Sequence, residues 1–194
     1  MKSNWDSPGV AGQIETFWED TGSDAVRKAV ADWMGPQTGR FLDLGCGTAR
    51  MSMFLKGPAY YVGLDGSEEM LQFAKTRTTA KSLHVGDLRE GLPFPGASFV
   101  SALCMEVIRH LTSYDSVLEG LARVVKKRVY IVDVFNDGPE SSFKEETIEG
   151  QTFPNNTWSL TEFSAAVKKH FPKWTTEVHT FSNGELGIKI EAPK

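Results

Sequence analysis

The sequence is poor in several features that mark particular classes of protein. Its 194 residues include only two cysteines, Cys46 and Cys104, which are too few for a disulfide framework and match no zinc spacing. No apolar run approaches the length needed to cross a membrane, and the opening MKSNWDSPG lacks the apolar stretch of a signal peptide. We therefore expect a reduced, cytoplasmic protein with neither a membrane segment nor a metal site.

The chain also lacks an excess of charge of one sign. Its formal net charge is -4, which gives no electrostatic reason to expect a nucleic acid as partner. Two basic clusters, Lys126-Lys127-Arg128 and Lys168-Lys169-His170, each follow a helical pattern. We interpret both as solvated helix ends favoured by the helix dipole.

Patterns typical of strands and helices alternate along most of the chain. The first helix is predicted over 23–34, with Ser23 as its N-cap and Gly35-Pro36 as its stop. Residues Thr112 to Asp115 have the form of a capping box, and a stripe of apolar residues at helical spacing follows them. Such alternation predicts a parallel sheet covered by helices on both faces. The predicted strands are 40–44, 59–65, 83–85, 99–104 and 129–134, and helices are predicted over 48–56, ended by Gly57-Pro58, and 67–77.

The end of the chain breaks this alternation. Ser159 to Glu162 forms a capping box for a helix that ends near His170. WTTEVHTF and ELGIKIE then flank Ser182-Asn183-Gly184, and Asn-Gly between two strand patterns predicts a hairpin. The sequence therefore predicts an α/β fold: a three-layer α/β/α sandwich around a seven-stranded, mostly parallel sheet with one antiparallel C-terminal hairpin strand.

The stretch FLDLGCGTAR, Phe41 to Arg50, carries the clearest motif. Gly45 and Gly47 follow the first central strand, where glycines let backbone N–H groups approach a ligand. A dinucleotide fingerprint requires a third glycine, but Arg50 stands at that position. A plain tight turn explains the glycine pair equally well when the pair is considered alone.

Aspartates end three successive central strands. Asp65 is placed to accept hydrogen bonds from ribose hydroxyls, and Asp87 from an adenine amino group, with the N–H of Leu88 at the ring. Asp65 alone does not discriminate, because nicotinamide enzymes share this feature, and Asp87 alone is explained as a turn residue. Three aspartates at successive strand ends together favour a nucleotide-like ligand. We expect Asp43, Asp65 and Asp87 to share one sheet edge beside an open cleft.

These motifs together resemble the class I S-adenosylmethionine-dependent methyltransferases of the small "methyltransferase domain" type, from Phe41 to Val134. FLDLGCGTAR resembles the first motif of that family, VGLDGSEEML the second, and VGDLREGLPFPGASFVSALCMEVIRHL the third and fourth. The resemblance implies a Rossmann-like fold, S-adenosyl-L-methionine as cofactor and S-adenosyl-L-homocysteine as product. The cofactor contacts that it implies are Asp43, Gly45, Cys46, Gly47, Asp65, Gly66, Met70, Asp87, Leu88, Cys104 and Met105.

Some positions depart from the pattern of the family. Ala49 stands where many members have glycine, Ser101 where they commonly carry Asp, and Lys126-Lys127-Arg128 replaces a Pro-Gly-Gly turn. The change at Ser101 puts any role for that carboxylate in doubt. None of the three removes a core cofactor contact.

Methyl transfer from a sulfonium requires positioning more than acid–base catalysis, unless the nucleophile arrives protonated. His110 and Glu106, which follow the fourth strand, are the candidate catalytic residues. His110 packing against a helix and Glu106 as an ordinary loop carboxylate are the alternatives. Arg50 either pairs with the carboxylate of the cofactor or is an exposed first-turn arginine.

The remaining reactive side chains have structural interpretations. Cys46 is expected to fill space in the turn and not to act as a nucleophile. His84 and His179 are expected to be structural.

Two segments flank the predicted site. The N-terminal helical cap, 1–35, carries Trp5, Phe17 and Trp18, and the segment 135–158 follows the fifth strand. Both either close over the substrate as a lid or pack as ordinary surface. As a lid, their aromatic residues would favour a small organic acceptor over a nucleic acid.

We therefore interpret 1–194 as a single methyltransferase domain that moves a methyl group to an O, N, S or C nucleophile, on a small molecule in preference to a protein side chain. An NAD-dependent oxidoreductase and a non-catalytic binding protein of the same fold are the alternatives. The sequence says nothing about the oligomeric state.

Overall fold

The computed structural model describes residues 4–57, 60–77, 82–148 and 151–194. Pro58 and Ala59, where a helix stop and a strand start were predicted, lie outside the described residues, as do residues 149 and 150 of the segment 135–158. The α-helices are α1 (Val10–Asp20), α2 (Ser23–Met34), α3 (Glu68–Arg77), α4 (Asp115–Val124) and α5 (Leu160–His170). The strands are β1 (Arg40–Leu44), β2 (Tyr60–Asp65), β3 (Ser82–Val85), β4 (Phe99–Met105), β5 (Val125–Asp133), β6 (Phe135–Asn136), β7 (Glu145–Ile148), β8 (Gln151–Pro154), β9 (Trp158–Ser159), β10 (Thr175–Thr180) and β11 (Leu186–Glu191).

The central sheet has seven strands in the order β10-β11-β5-β4-β1-β2-β3. β1 pairs in parallel with β2 and β4, β2 with β3, and β4 with β5. β11 is antiparallel to both β5 and β10. The predicted mostly parallel sheet, with a reversed hairpin strand after Asn183-Gly184, is therefore confirmed.

The sheet buries both of its faces, as expected for strands whose central residues are apolar throughout. On one face, α4 and α5 pack their apolar stripes, which include Leu118 and Phe163, against Leu42 and Leu64. On the other face, α2 packs Val30 and its neighbours against Phe41, Tyr61 and Tyr130. This arrangement is the predicted three-layer sandwich.

The strand order changes direction at β1, because β2 lies on one side of it and β4 on the other. Ligands of open α/β sheets bind in the crevice beyond the carboxyl ends of the strands at such a point. Gly45 follows β1 there, and Glu106 follows β4. The topology therefore brings the glycine loop and both catalytic candidates to one edge of the sheet.

The predicted helix over 48–56 is wrong. Only a short 3₁₀ helix, Arg50–Met53, forms there, and the residue before it, Ala49, has a left-handed φ of 55°. Gly47 is also left-handed, with a φ of 52°. Two left-handed residues so close together do not fit the first turn of a right-handed helix.

The basic cluster Lys126-Lys127-Arg128 is also not a helix end, because it lies inside β5. Arg128 pairs there with Glu191 of β11 at 2.7 Å. The strand therefore starts earlier than predicted, directly after α4.

One of the three predicted helix caps is confirmed, and two are wrong. Ser159 caps α5 as predicted, since its side chain accepts the N–H of Glu162 at 3.3 Å. Gly22, and not Ser23, is the N-cap of α2. Tyr114 is the N-cap of α4 without a side-chain hydrogen bond, so the capping box at Thr112 is wrong.

The segment 135–158 contains short strands of its own. β6 runs parallel to β9, and β7 and β8 form an antiparallel hairpin. These elements extend from the carboxyl end of β5 and return to the start of α5. The segment therefore lies next to the sheet edge that carries the predicted site.

Candidate functional site

The glycine loop is held tightly against its neighbours. Gly45 has a φ of 68°, and a Cβ built there would lie 2.4 Å from Val107 Cγ2. The N–H groups of Gly45 and Cys46 both donate to Leu64 O, at 2.7 and 3.1 Å. Gly45 is therefore required both for its backbone conformation and for its lack of a side chain.

Asp65 connects the end of β2 to this loop. Its carboxylate accepts the N–H of Gly47 at 2.7 Å and the N–H of Ser67 at 2.8 Å. Burial raises the pKa of this carboxyl group, and these backbone donors oppose the rise. The residue is half-buried.

Asp43 lies beneath the loop and does not line a cleft. Its side chain is 3% exposed and accepts a hydrogen bond from the hydroxyl of Tyr61. Burial raises the pKa of Asp43 to about 7. The expectation that the three strand-end aspartates all border an open cleft is therefore wrong for Asp43.

Asp87 lies at the same edge, after Gly86, whose N–H donates to Asp65 O at 2.9 Å. It accepts the N–H of Arg89 at 2.9 Å and pairs with the guanidinium of Arg89. The hydrogen bond from Arg89 lowers the pKa of Asp87. A third of the Asp87 side chain stays exposed, so it remains available to a ligand.

The other residues predicted to contact the cofactor differ in how deeply they are buried. Gly66 is exposed beside Asp65, while Leu88 contributes its side chain to the core under α4. Met70 packs on α1, in a cluster with Val10 and Ile14. Met105 is half-buried at the end of β4. Their contacts with a cofactor stay predictions.

The two cysteines are inert fillers. Cys46 is buried, and its Sγ lies 2.6 Å from the position that a Cβ of Gly63 would take. Cys104 is buried inside β4. Burial raises the pKa of both thiols, so neither supplies a thiolate nucleophile.

Arg50 is neither exposed nor available to a ligand. It is buried and pairs with Glu15 of α1 and with Asp24 of α2, whose Oδ1 lies 2.6 Å from Nε. Thr48 also donates to Glu15. Both interpretations offered for Arg50 are therefore wrong: it fastens the N-terminal helices onto the glycine loop.

Aromatic residues of the two flanking segments meet over the site. The rings of Trp5 and Phe153 lie 4.0 Å apart, and Trp5 contacts the ring of His110 at 5.3 Å. Trp5 O accepts a hydrogen bond from Ser67 Oγ at 2.7 Å, beside Asp65. We call Trp5, His110 and Phe153 the aromatic cover.

His110 is fixed within this cover. Its Nδ1 lies 2.6 Å from Pro154 O, an acceptor, so Nδ1 carries the hydrogen. Burial lowers the pKa of His110. The imidazole is therefore neutral near pH 7, with the lone pair on Nε2.

Glu106 is the other catalytic candidate. It has a left-handed φ of 56°, and its Oε2 lies 3.7 Å from Arg27 Nη2. Burial and then the nearby carboxylate of Glu185 raise the pKa of Glu106 to about 7. Such backbone strain in a non-glycine residue is concentrated at functional sites.

Sequence reasoning missed the buried charges around Glu106. Arg27 is 5% exposed, and its Nη1 has no hydrogen-bond partner among the described residues. A signal existed, since Arg27 shares the buried stripe of α2 with Val30, Ala31 and Met34. Asp133, at the carboxyl end of β5, repeats the pattern of Asp65, whereas Glu185 in the hairpin has no local signal.

The remaining predictions concern structural residues. His84 is exposed and bonds to Ser82, and His179 stacks on Trp33 at 5.6 Å. Ser101, at the position where the resemblance implied an aspartate, donates to Gln37 Oε1 at 2.7 Å. Phe17 is exposed, and Trp18 lies 3.8 Å from the position that a Cβ of Gly47 would take.

Two surface cavities are lined by residues outside the glycine loop. One of about 490 Å³ is lined by Tyr114, Phe143 and Trp158 with acidic neighbours, and another of about 250 Å³ follows α3 and β3. Within the described ranges, no group of three or more His, Cys, Asp or Glu residues is arranged to hold a metal ion. The described helices include none that is long and apolar enough to span a membrane.

Comparison with known proteins identifies related sequences. Residues 42–132 match the profile of a family described as "Methyltransferase domain". The putative methyltransferase YqeM of Bacillus subtilis (strain 168) is 32% identical over 132 residues, which cover 64% of this chain and 50% of that protein. Demethylmenaquinone methyltransferase of Listeria monocytogenes serotype 4a is 37% identical over 109 residues, covering 52% of this chain and 46% of that protein. The chain thus spans about half the length of these curated relatives.

A solved structure supports the fold. The DhpI–SAH complex has a TM-score of 0.71 at 20% identity, with 93% of this chain and 90% of that chain covered. This likeness confirms the predicted Rossmann-like fold, and the match over residues 42–132 supports the resemblance to methyltransferases.

Proposed function

We propose, from the premise that residues 42–132 belong to the methyltransferase-domain family, that this protein is an S-adenosylmethionine-dependent methyltransferase acting on a small molecule. The observation that carries the proposal is the contact between Asp65 and Gly47 at the point where the strand order reverses. A half-buried carboxylate and half-buried loop glycines in that position suit the ribose and the amino-acid portion of such a cofactor. The solved neighbour in complex with SAH supports the same cofactor.

Arg27 supplies the group that the methionine carboxylate of the cofactor requires. Its guanidinium lies over the ring of Trp18 at 4.2 Å, and Trp18 borders Gly47. The buried Nη1 has no partner among the described residues, and a carboxylate would satisfy it with a charge-assisted hydrogen bond. Because Arg50 is fully paired with acidic residues, Arg27 replaces it as our candidate for this contact.

The structure argues against a dinucleotide. A pyrophosphate binds at the N-terminus of the α-helix that follows the glycine loop, where backbone N–H groups point at the phosphates. Here the loop is followed only by the 3₁₀ helix Arg50–Met53, and its first turn is occupied by Glu15 and Asp24. The two carboxylates outnumber the single guanidinium of Arg50 with which they pair, and this excess of negative charge disfavours a phosphate.

The cofactor, when bound, supplies a methyl group already activated by the positive sulfur. The protein then positions the nucleophile, excludes water and removes a proton where the acceptor carries one. The aromatic cover excludes water above Asp65. Neutral His110, with the lone pair on Nε2, and Glu106, with a pKa of about 7, are both suited to accept a proton near neutral pH.

The acceptor is a small molecule in this proposal because the site is enclosed. Trp5 and Phe153 from two distant segments meet above it, and α1 and α2 are fastened over the loop. We assign the role of lid to the N-terminal cap and to the segment 135–158, which must separate for ligands to enter.

Calorimetric titration with S-adenosylmethionine, S-adenosylhomocysteine and NAD tests the proposal. We expect micromolar binding of the first two ligands and no binding of NAD. Micromolar binding of NAD without binding of the other two ligands would overturn it. Binding of S-adenosylhomocysteine with no methyl incorporated from the cofactor into a metabolite extract would favour the non-catalytic alternative.

A matched pair of variants tests the carboxylate contact. Arg27→Met should weaken S-adenosylhomocysteine binding by about tenfold to a hundredfold, because a hydrogen bond between charged groups is lost. Lys28→Met, on the exposed face of the same helix, is the control and should bind as the parent protein does. Equal affinities of the two variants would remove Arg27 from the cofactor site.

A further inference from the structure

A cluster of charged side chains lies beyond the carboxyl ends of β4 and β5. Arg109 is at its centre: its Nε lies 2.5 Å from Asp133 Oδ1, and its Nη2 lies 2.9 Å from Glu185 Oε1. Glu106 adjoins Glu185, whose charge raises the pKa of Glu106. Arg27 approaches Glu106 from α2, at 3.7 Å. Side chains from distant parts of the chain thus converge on one place.

Glu185 is incompletely satisfied. It is 4% exposed, and its Oε2 is buried without a hydrogen-bond partner among the described residues. Buried carboxylate oxygens are ordinarily paired, because leaving one unpaired is costly. The free oxygen belongs to the same side chain that binds Arg109 and adjoins Glu106.

The charges of the cluster do not balance. When Glu106 is ionised, the cluster contains three carboxylates, of Glu106, Asp133 and Glu185, and two guanidinium groups, of Arg27 and Arg109. Arg109 is already engaged by Asp133 and Glu185. The group that would complete the cluster therefore carries a positive charge and N–H donors.

A protonated amine meets both requirements, whereas a neutral hydroxyl supplies a hydrogen but no charge. A metal ion is not favoured, since the described residues hold no suitable group of three or more ligands. The cluster also lies beside the cofactor loop, because Val107, next to Glu106, is the residue that packs against Gly45.

We propose that the methyl acceptor is a small amine whose nitrogen is held between the carboxylates of Glu106 and Glu185. This proposal rests on the proposed function and deepens it to nitrogen methylation. The ammonium proton passes to a carboxylate oxygen of Glu106, and the nitrogen keeps the electron pair. With that pair it bonds to the methyl carbon, while the electrons of the broken carbon–sulfur bond stay on sulfur. Glu185 holds the nitrogen and keeps its charge.

The titration of Glu106 is compatible with this role. Its pKa of about 7 places the carboxylate near half-protonation at neutral pH, where a base is most effective. The charged groups that face it are Arg27 from α2, Arg109 and Asp133 at the ends of β4 and β5, and Glu185 from the hairpin.

The test compares two probes of similar shape, phenethylamine and 2-phenylethanol, by calorimetry on protein saturated with S-adenosylhomocysteine. We expect the amine to bind at least about tenfold more tightly than the alcohol. In Glu185→Gln this preference should fall at least about tenfold, and it should persist in Glu140→Gln, which removes an exposed carboxylate. Glu106→Gln, with a more exposed side chain, is the second variant if Glu185→Gln does not fold.

The outcomes separate the two proposals. If S-adenosylhomocysteine does not bind, the proposed function fails and the acceptor proposal fails with it. If S-adenosylhomocysteine binds but the two probes bind equally, or neither binds at 10 mM probe, only the acceptor proposal is overturned. A preference for the amine that survives both Glu→Gln changes would also overturn it.

Discussion

The two ends of the functional edge are built differently. At the proposed adenosine end, formed by Gly45, Gly47 and Asp65, the N–H of Gly47 donates to the carboxylate of Asp65, 18 positions along the chain. At the proposed acceptor end, formed by Glu106 and Glu185, side chains meet across longer separations, and Arg109 and Glu185 are 76 positions apart. The proposed adenosine end is thus built from residues close together in the sequence, whereas the proposed acceptor end is built from residues that only the complete fold brings together.

This difference matches what each end has to recognise. Backbone groups and a strand-end carboxylate suit a cofactor whose adenosine and amino-acid portions do not vary. Side chains contributed by the C-terminal hairpin and by the turn after β4 can change without altering the backbone of the glycine loop, as loops on a rigid scaffold generally can. We therefore expect changes at one end to leave the other end intact.

The largest expected effect tests whether the N-terminal helices hold the adenosine end together. Arg50→Met removes the cationic partner of buried Glu15 and should lower the free energy of unfolding by about 3–5 kcal/mol. Lys56→Met breaks an exposed pair with Asp32 and should leave the free energy of unfolding nearly unchanged. Urea denaturation measures both variants, and equal losses would show that the buried pair does not fasten the cap.

The next effect tests the glycine loop itself. Gly45→Ala places a Cβ 2.4 Å from Val107 in a backbone with a φ of 68°. Gly22→Ala has the same φ of 68° but nothing within 4 Å, so it isolates the conformational cost of roughly 1–2 kcal/mol. We expect Gly45→Ala to lose about 1–3 kcal/mol more than Gly22→Ala, because of overpacking.

Ligand binding completes this comparison of the two glycine variants. Gly45→Ala should also lose S-adenosylhomocysteine binding in calorimetry, whereas Gly22→Ala should keep it. Similar stability and binding in the two variants would mean that close packing at Val107 is not required.

The same contrast explains what the sequence could predict. The strands and the reversed hairpin could be predicted from the sequence, because their apolar runs end at Gly, Asp or Asn-Gly, which are local signals. Asp65 and the glycine pair were readable for the same reason. The prediction of a helix over 48–56 failed because nothing in the sequence marks Ala49 as left-handed. Glu185 could not be found, since nothing near it in the chain shows that Arg109 would contact it.

A third prediction tests the proposed adenosine end with a change that keeps the size of the side chain. Asp65→Asn removes the charge and replaces one of the two oxygens that accept the N–H groups of Gly47 and Ser67 with an NH2 donor. The affinity for S-adenosylhomocysteine should fall by about tenfold to a hundredfold. Asp137→Asn, at an exposed position, is the control. An unchanged affinity in Asp65→Asn would place the ribose elsewhere.

The smallest expected effect belongs to the acceptor end and concerns pH. Burial and the charge of Glu185 raise the pKa of Glu106 to about 7. Between pH 4.5 and 7, the folded protein therefore keeps a proton on Glu106 that the unfolded chain has released. Stability contributed by this group is therefore present at low pH and is lost as the pH rises toward 7. Because a third of the side chain is exposed, we expect a loss of only about 1 kcal/mol.

Glu106→Gln isolates this contribution from that of Asp43, which titrates in the same range with a pKa of about 7. Urea denaturation at pH 5 and pH 8 should show a fall in stability that is about 1 kcal/mol smaller in Glu106→Gln than in the parent protein. Glu140→Gln removes an exposed carboxylate and should leave the fall unchanged. A fall of the same size in all three proteins would mean that Glu106 is solvated like a surface residue, and the two ends would then differ less than their contacts indicate.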